Sequence, residues 1–95
     1  MTQSDLLRSM LHALSDIREQ GDTYETGDQW DVTVHAGHKG GSLTVPHVVR
    51  VTLKGDFVLL ETSKKHQFAV AADEVYAVGQ EPSERESKNR RTGFL

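Results

Sequence analysis

Leu6, Leu7, Met10, Leu11, Leu14 and Ile17 recur at three- and four-residue steps, the stripe of an amphipathic helix. Thr2 or Ser4 can cap its start, while Asp5 in the first turn and Arg18 in the last suit the helix dipole. The spacing predicts a helix that runs to Gly21, a residue that readily ends helices in a left-handed conformation. Residues 22–28 read as a polar loop.

From Trp30 the period changes to two. Trp30, Val32 and Val34 alternate with Asp31, Thr33 and His35, as in a half-buried strand. Ala36 to Ser42 contains three glycines and reads as a flexible turn. Leu43 to Leu53 is β-rich, with Val49, Val51 and Leu53 on one face and Arg50, Thr52 and Lys54 on the other. Pro46 cannot donate to a ladder, so it marks an edge or a bulge. Lys54-Gly55-Asp56 predicts a turn, Phe57 to Thr62 an apolar strand, Ser63 to His66 a second turn, and Gln67 to Ala71 another strand. Asp73-Glu74 interrupts the pattern before Val75 to Val78. The expected architecture is α+β: one helix, then five short strands in a bent antiparallel sheet or small barrel, over residues 1–79. Leu7, Leu11, Leu14, Trp30, Val32, Val51, Phe57, Leu59 and Phe68 are the expected core. Residues 80–95 are charged and nearly devoid of apolar side chains until Phe94-Leu95, which predicts a disordered tail.

Composition narrows the function classes. The 95 residues include no cysteine, which excludes disulfides, thiolate metal sites and a thiol nucleophile. No stretch approaches the roughly 18 apolar residues of a membrane span. The first residues lack the basic and apolar regions of a signal peptide, so the expectation is a cytoplasmic protein with no membrane partner. The net charge of −3 is unevenly spread. Residues 1–31 are acidic, residues 32–72 are mildly basic, and the tail places Lys88, Arg90 and Arg91 after a mostly acidic stretch. Such a layout allows a basic face in the middle of the chain, although nucleic-acid-binding domains usually have a pI above about 9.

The segments Gly55-Asp56-Phe57-Val58-Leu59-Leu60-Glu61-Thr62 and Ala71-Ala72-Asp73-Glu74-Val75-Tyr76-Ala77-Val78 resemble the second half of a bacterial Sm-like RNA chaperone. Met10-Leu11-His12-Ala13-Leu14 is similar to the N-terminal helix of that family. The resemblance covers about a third of the chain and implies an Sm-like or SH3-like small barrel, hence a ring-forming RNA binder. The Tyr-Lys-His triplet of that family, expected near Ala69-Val70-Ala71, is absent from the chain.

The residues that could carry other chemistry do so weakly. His35, His38 and His47 place three imidazoles within 13 residues, but no fourth ligand stands near and no zinc-binding helix motif occurs, so no metal or other cofactor is expected. Ser42, His47 and Asp56 can be drawn as a triad without the Gly-x-Ser-x-Gly turn that presents a nucleophile. The glycines from Gly37 to Gly41 precede a strand, whereas a phosphate loop precedes a helix. No enzyme is expected. The favoured reading is a non-catalytic protein-interaction or regulatory module, with an Sm-like RNA or DNA binder as the alternative. Candidate contacts to a protein partner or to nucleic acid are Arg50, Lys54, Lys64, Lys65, Tyr76, Lys88, Arg90 and Arg91. Phe57-Val58-Leu59-Leu60 is apolar on both faces, which suggests a homo-oligomer.

Overall fold

A computed structural model describes residues 3–38 and 41–83. The tail residues Lys88, Arg90, Arg91, Phe94 and Leu95 lie outside the described residues, as does Lys39. Helix α1 (Gln3–His12) is followed by seven strands: β1 (Ile17–Gln20), β2 (Thr23–Thr26), β3 (Trp30–His38), β4 (Gly41–Leu53), β5 (Phe57–Thr62), β6 (Gln67–Ala71) and β7 (Val75–Pro82). A single 3-10 turn, Ala72–Glu74, joins the last two. All pairings are antiparallel, and the sheet curls into a half-barrel.

The thirteen-residue strand β4 is the spine of this sheet. Val48 pairs with both Val32 and Thr62, and Val51 pairs with both Tyr24 and Leu60. Strands β3 and β2 therefore share one edge of β4, and β5 takes the other. Strand β7 adds to β3, β1 to β2, and β6 to β5. The expected irregularity at Pro46 is a bulge. Between Val48 and Val45, β4 spends three positions where β3 spends two. His47 sits there with φ at 60°. A second slip, between Val48 and Arg50, faces β5. Bulges raise local twist, and this pair falls where the sheet has to turn.

The helix is shorter than its apolar spacing predicts. Ala13 and Leu14 close tight terminal turns, and Asp16 adopts a φ of 55°. Ser15 and Asp16 compete with the helical backbone for hydrogen bonds, so the stripe continues through a change of structure. Ile17 belongs to β1 and still packs on the core. Gly21 is left-handed as expected, but it opens the two-residue β1–β2 hairpin loop, a glycine-first arrangement that matches the sheet twist. The expected polar loop at 22–28 accordingly contains β2. The glycine-rich turn expected from Ala36 to Ser42 is mostly ladder, because Gly37 pairs with Ser42 and His38 with Gly41. Strand β7 also runs beyond the boundary expected at Gly79: Gln80, Glu81 and Pro82 pair with β3, and the Ser83 amide donates to Gln29.

The core is Leu7, Leu11, Tyr24, Val32, Val34, Ala36, Val45, Val48, Val51, Leu53, Val58, Leu60, Val70, Ala72 and Val75. Two expected core residues, Phe57 and Phe68, are instead substantially exposed, and Leu59 and Trp30 are half-buried. Val58 and Leu60 point inward, so the inward face of β5 is the opposite of the one expected. The run Phe57-Val58-Leu59-Leu60 is apolar at every position, so alternation could not choose between its faces. Helix α1 packs on the 3-10 turn and on β7, closing the open side of the curl.

Candidate interaction surface

The polar side chains fall into separate groups, each tied to particular strands. Arg8 on α1 reaches the β1–β2 hairpin, donating to the Tyr24 hydroxyl at 3.0 Å and to the carboxylate of Asp22. Tyr24 donates in turn to Glu19 at 2.8 Å, and His12 Nε2 lies 3.1 Å from the same carboxylate group. The His12 ring meets the Tyr24 ring edge-on at 5.7 Å. Burial of the Tyr24 ring, followed by its bond to Glu19, raises the phenol above its ordinary range, while Arg8 opposes the rise. Asp22 and Tyr24 both hold Arg8 more firmly protonated. This group fastens the helix to the hairpin.

Arg50 lies on the outer face, in one row with Glu25 and Glu61 on the flanking strands. Its Nε and Nη2 donate to Glu25 at 2.9 and 2.8 Å, and its Nη1 donates to Glu61 at 3.0 Å. Two carboxylates thus already occupy this candidate contact. Lys54 lies in the β4–β5 turn, whereas Lys64 and Lys65 lie in the β5–β6 turn. The six residues of β5 separate these turns, about 20 Å at ~3.3 Å per residue. Tyr76 is on β7, a residue 62% exposed, with its ring beside Gly37 and 6.1 Å from the His35 ring. The predicted contacts among the described residues are therefore dispersed over four regions.

Of the three imidazoles, the two that are described take different partners. His35 meets Thr44 at 3.3 Å, whereas His47 Nδ1 meets the buried carboxylate of Asp31 at 3.1 Å. The side chain of His38 is outside the described set. Among the described residues, no group of three or more His, Cys, Asp or Glu side chains could hold a metal ion. Asp31 and His47 form a pair that the sequence reading missed: it crosses from β3 to the bulge of β4, and only the bulge register brings the two together. Ser42, near the start of β4, and Asp56, beyond its end, are separated by most of that strand, so the drawn triad does not assemble.

The remaining surface feature is the β5–β6 end of the sheet. Phe57 pairs with Ala71, and Leu59 pairs with Ala69, while the alternate residues Val58, Leu60 and Val70 are buried. Phe57, Leu59, Ala69 and Ala71 therefore share the outer face. Phe68 pairs with Leu60 on the core side, yet it is 38% exposed because it stands at the margin of the sheet. Phe57, at 42% exposure, flanks the same margin from the other face.

Among the described residues, four stretches of strand have an unpaired edge: β1, the first half of β4, β6 and β7. Three carry the devices that discourage edge-to-edge pairing. Strand β1 has Arg18 and Glu19, and the first half of β4 has Gly41, Pro46 and its bulge. Strand β7 has Gly79, Glu81 and Pro82. Gln80 on the same strand clasps Ser15, accepting its amide at 2.9 Å and donating to its carbonyl. Strand β6, Gln67-Phe68-Ala69-Val70-Ala71, has no charge, glycine or proline. The signal was present in the sequence as a run, Gln67 to Ala72, without acid or base between Lys64-Lys65-His66 and Asp73-Glu74.

No protein-family model matches the chain, and no match is found among curated proteins or solved structures. No helix of the described residues is long and apolar enough to cross a membrane.

Proposed function

We infer that the chain is a non-catalytic protein-interaction module that receives its partner at the β6 edge. The observation that carries this reading is the unguarded ladder of β6 between two half-exposed phenylalanines. Strand addition to such an edge draws affinity from backbone hydrogen bonds and selectivity from alternate side chains. Phe68 supplies an apolar contact on one face, and Phe57 with Leu59 supplies one on the other.

A second reading, a small-barrel RNA or DNA binder of the Sm-like kind, is favoured by the exposed Tyr76 ring beside His35. Aromatic rings of that sort serve as stacking platforms for unpaired bases. Two measurements separate the readings. Retention on heparin that falls steeply with salt supports nucleic acid, because phosphate contacts release counterions. Binding of a protein species that is lost from Ala69→Lys but kept by Tyr76→Ala supports the interaction module. Equal protein binding by wild type and Ala69→Lys overturns it.

A further inference from the structure

We propose that the occupant of the β6 edge is the β6 edge of a second copy of this chain, in an antiparallel two-fold pair centred on Ala69. The proposal deepens the interaction-module reading and rests on it. Two observations carry it: the neutrality of the strand, and the order of the charges that flank it.

In an antiparallel pair centred on Ala69, Ala69 faces its own copy, Phe68 faces Val70, and Gln67 faces Ala71. Nothing in the strand opposes a like charge. Phe68 and Val70 lie on the core-side face, so each two-fold-related contact covers a phenylalanine that is 38% exposed in the single chain. Beyond the strand, the two-fold brings the turn that holds Lys64 and Lys65 in one copy to the same end of the pair as the 3-10 turn that holds Asp73 and Glu74 in the second. The two-fold repeats this juxtaposition at the other end. Lys64, Lys65 and Asp73 are exposed, and Glu74 is half-buried. Pairing the strands in parallel would instead set the lysines against lysines and the acids against acids. The charge order thus selects one orientation, and complementary charges at an interface fix register more than they set affinity. The new pair would extend the existing β4-β5-β6 ladder without a break. A contact of this type uses the same patch on both copies and closes on itself.

The test is sedimentation equilibrium of the full chain from micromolar to millimolar concentration, at low and high salt. The wild type is expected to show a monomer–dimer equilibrium that weakens as salt rises. Ala69→Lys sets two ammonium groups opposite each other at the axis and should raise the dimer Kd by at least about tenfold, since directly opposed like charges destabilise a ladder. Ala69 is exposed, so an unchanged circular dichroism spectrum and melting profile at low concentration verify that the variant is folded. Lys65→Glu and Asp73→Lys should each weaken self-association. An equimolar mixture of these two variants should recover it, because the introduced carboxylate then meets the introduced ammonium at one end while the native pair remains at the other. Recovery in the mixture supports the two-fold register. A wild-type monomer at every concentration overturns the proposal, and so does a dimer indifferent to Ala69→Lys. If the wild type is monomeric while Ala69→Lys still abolishes binding of a different protein, the second-copy proposal fails and the interaction-module reading stands.

Discussion

Truncating Leu60 to alanine should cost far more stability than truncating its neighbour Leu59. Leu60 is completely buried between β4 and β6, in register with Val51 and Phe68. Removing three of its carbons from a packed site loses their transfer energy and leaves a cavity, together about 3–5 kcal/mol. Leu59 lies on the outer face beside Thr52 and Ala69 and is half-buried. Since full burial of a leucine is worth about 1.5–3 kcal/mol, its truncation should cost about 1 kcal/mol. A domain of this size has a total stability of about 4–12 kcal/mol. Leu60→Ala therefore consumes a large share of it and should lower Tm by roughly 15–30 °C. Urea unfolding followed by circular dichroism gives both losses from the midpoint shift, provided the slope stays constant. Measurements at low protein concentration keep self-association out of the comparison. Equal losses, or a larger loss for Leu59→Ala, would refute the assignment of faces in β5 and restore the register in which Leu59 and Phe57 point inward.

Three further outcomes follow from the same packing. Because the folded-state Tyr24 phenol titrates above its unfolded value of 10.0, its contribution is intact below that pH and is lost as pH rises through the folded-state value. Thermal melting should decline more steeply above pH 10 in the wild type than in Tyr24→Phe. The Thr26 hydroxyl is buried with no hydrogen-bond partner among the described residues. Thr26→Val keeps the shape and removes the orphaned group, so it should raise stability by about 1 kcal/mol, read from the urea midpoint. Gln80→Ala breaks the clasp on Ser15 and should cost about 1 kcal/mol. Hydrogen exchange should show faster exchange of the Ser15 amide in that variant, and an unchanged rate would mean that the clasp does not form in solution.

The architecture was legible where side-chain period and turn chemistry agree. Pro46 announced its bulge, Lys54-Gly55-Asp56 its turn, and the helix after Ser4 its apolar stripe. It was not legible where two structures share one pattern. Leu14 and Ile17 satisfy the helical spacing equally well from a loop and a strand, and Gly21 is left-handed in a helix stop or in a hairpin. Strand β2 escaped notice because Tyr24 is its only fully buried residue and polar neighbours surround it. In β5 the alternation was silent, so the faces were set by tertiary packing. For the surface, the candidate cations were legible as residues but not as a group, since strand length separates Lys54 from Lys64 and Lys65. The β6 edge was visible only as a gap in the charge pattern, and such a gap acquires meaning once the strand is known to lie outermost.

The pairing of β3 with β7 sets the order in which the molecule can assemble. Trp30 is in register with Pro82, 52 positions further along the chain, whereas β3–β4, β4–β5 and β5–β6 are hairpins closed by short turns. Local hairpins form first because their loops cost little entropy to close, and distant pairings wait for them. During synthesis the strands from β3 to β6 can zip together while β7 is still inside the ribosome. One edge of β3 then stands open, and α1 lacks the β7 and 3-10 surface that completes its packing. Helix α1, made before every described strand, thus completes its docking only after β7 has emerged. For the interval before residue 82 emerges, the nascent protein exposes the edge of β3 in addition to the unguarded edge of β6. That interval is when it is most vulnerable to pairing with the wrong strand.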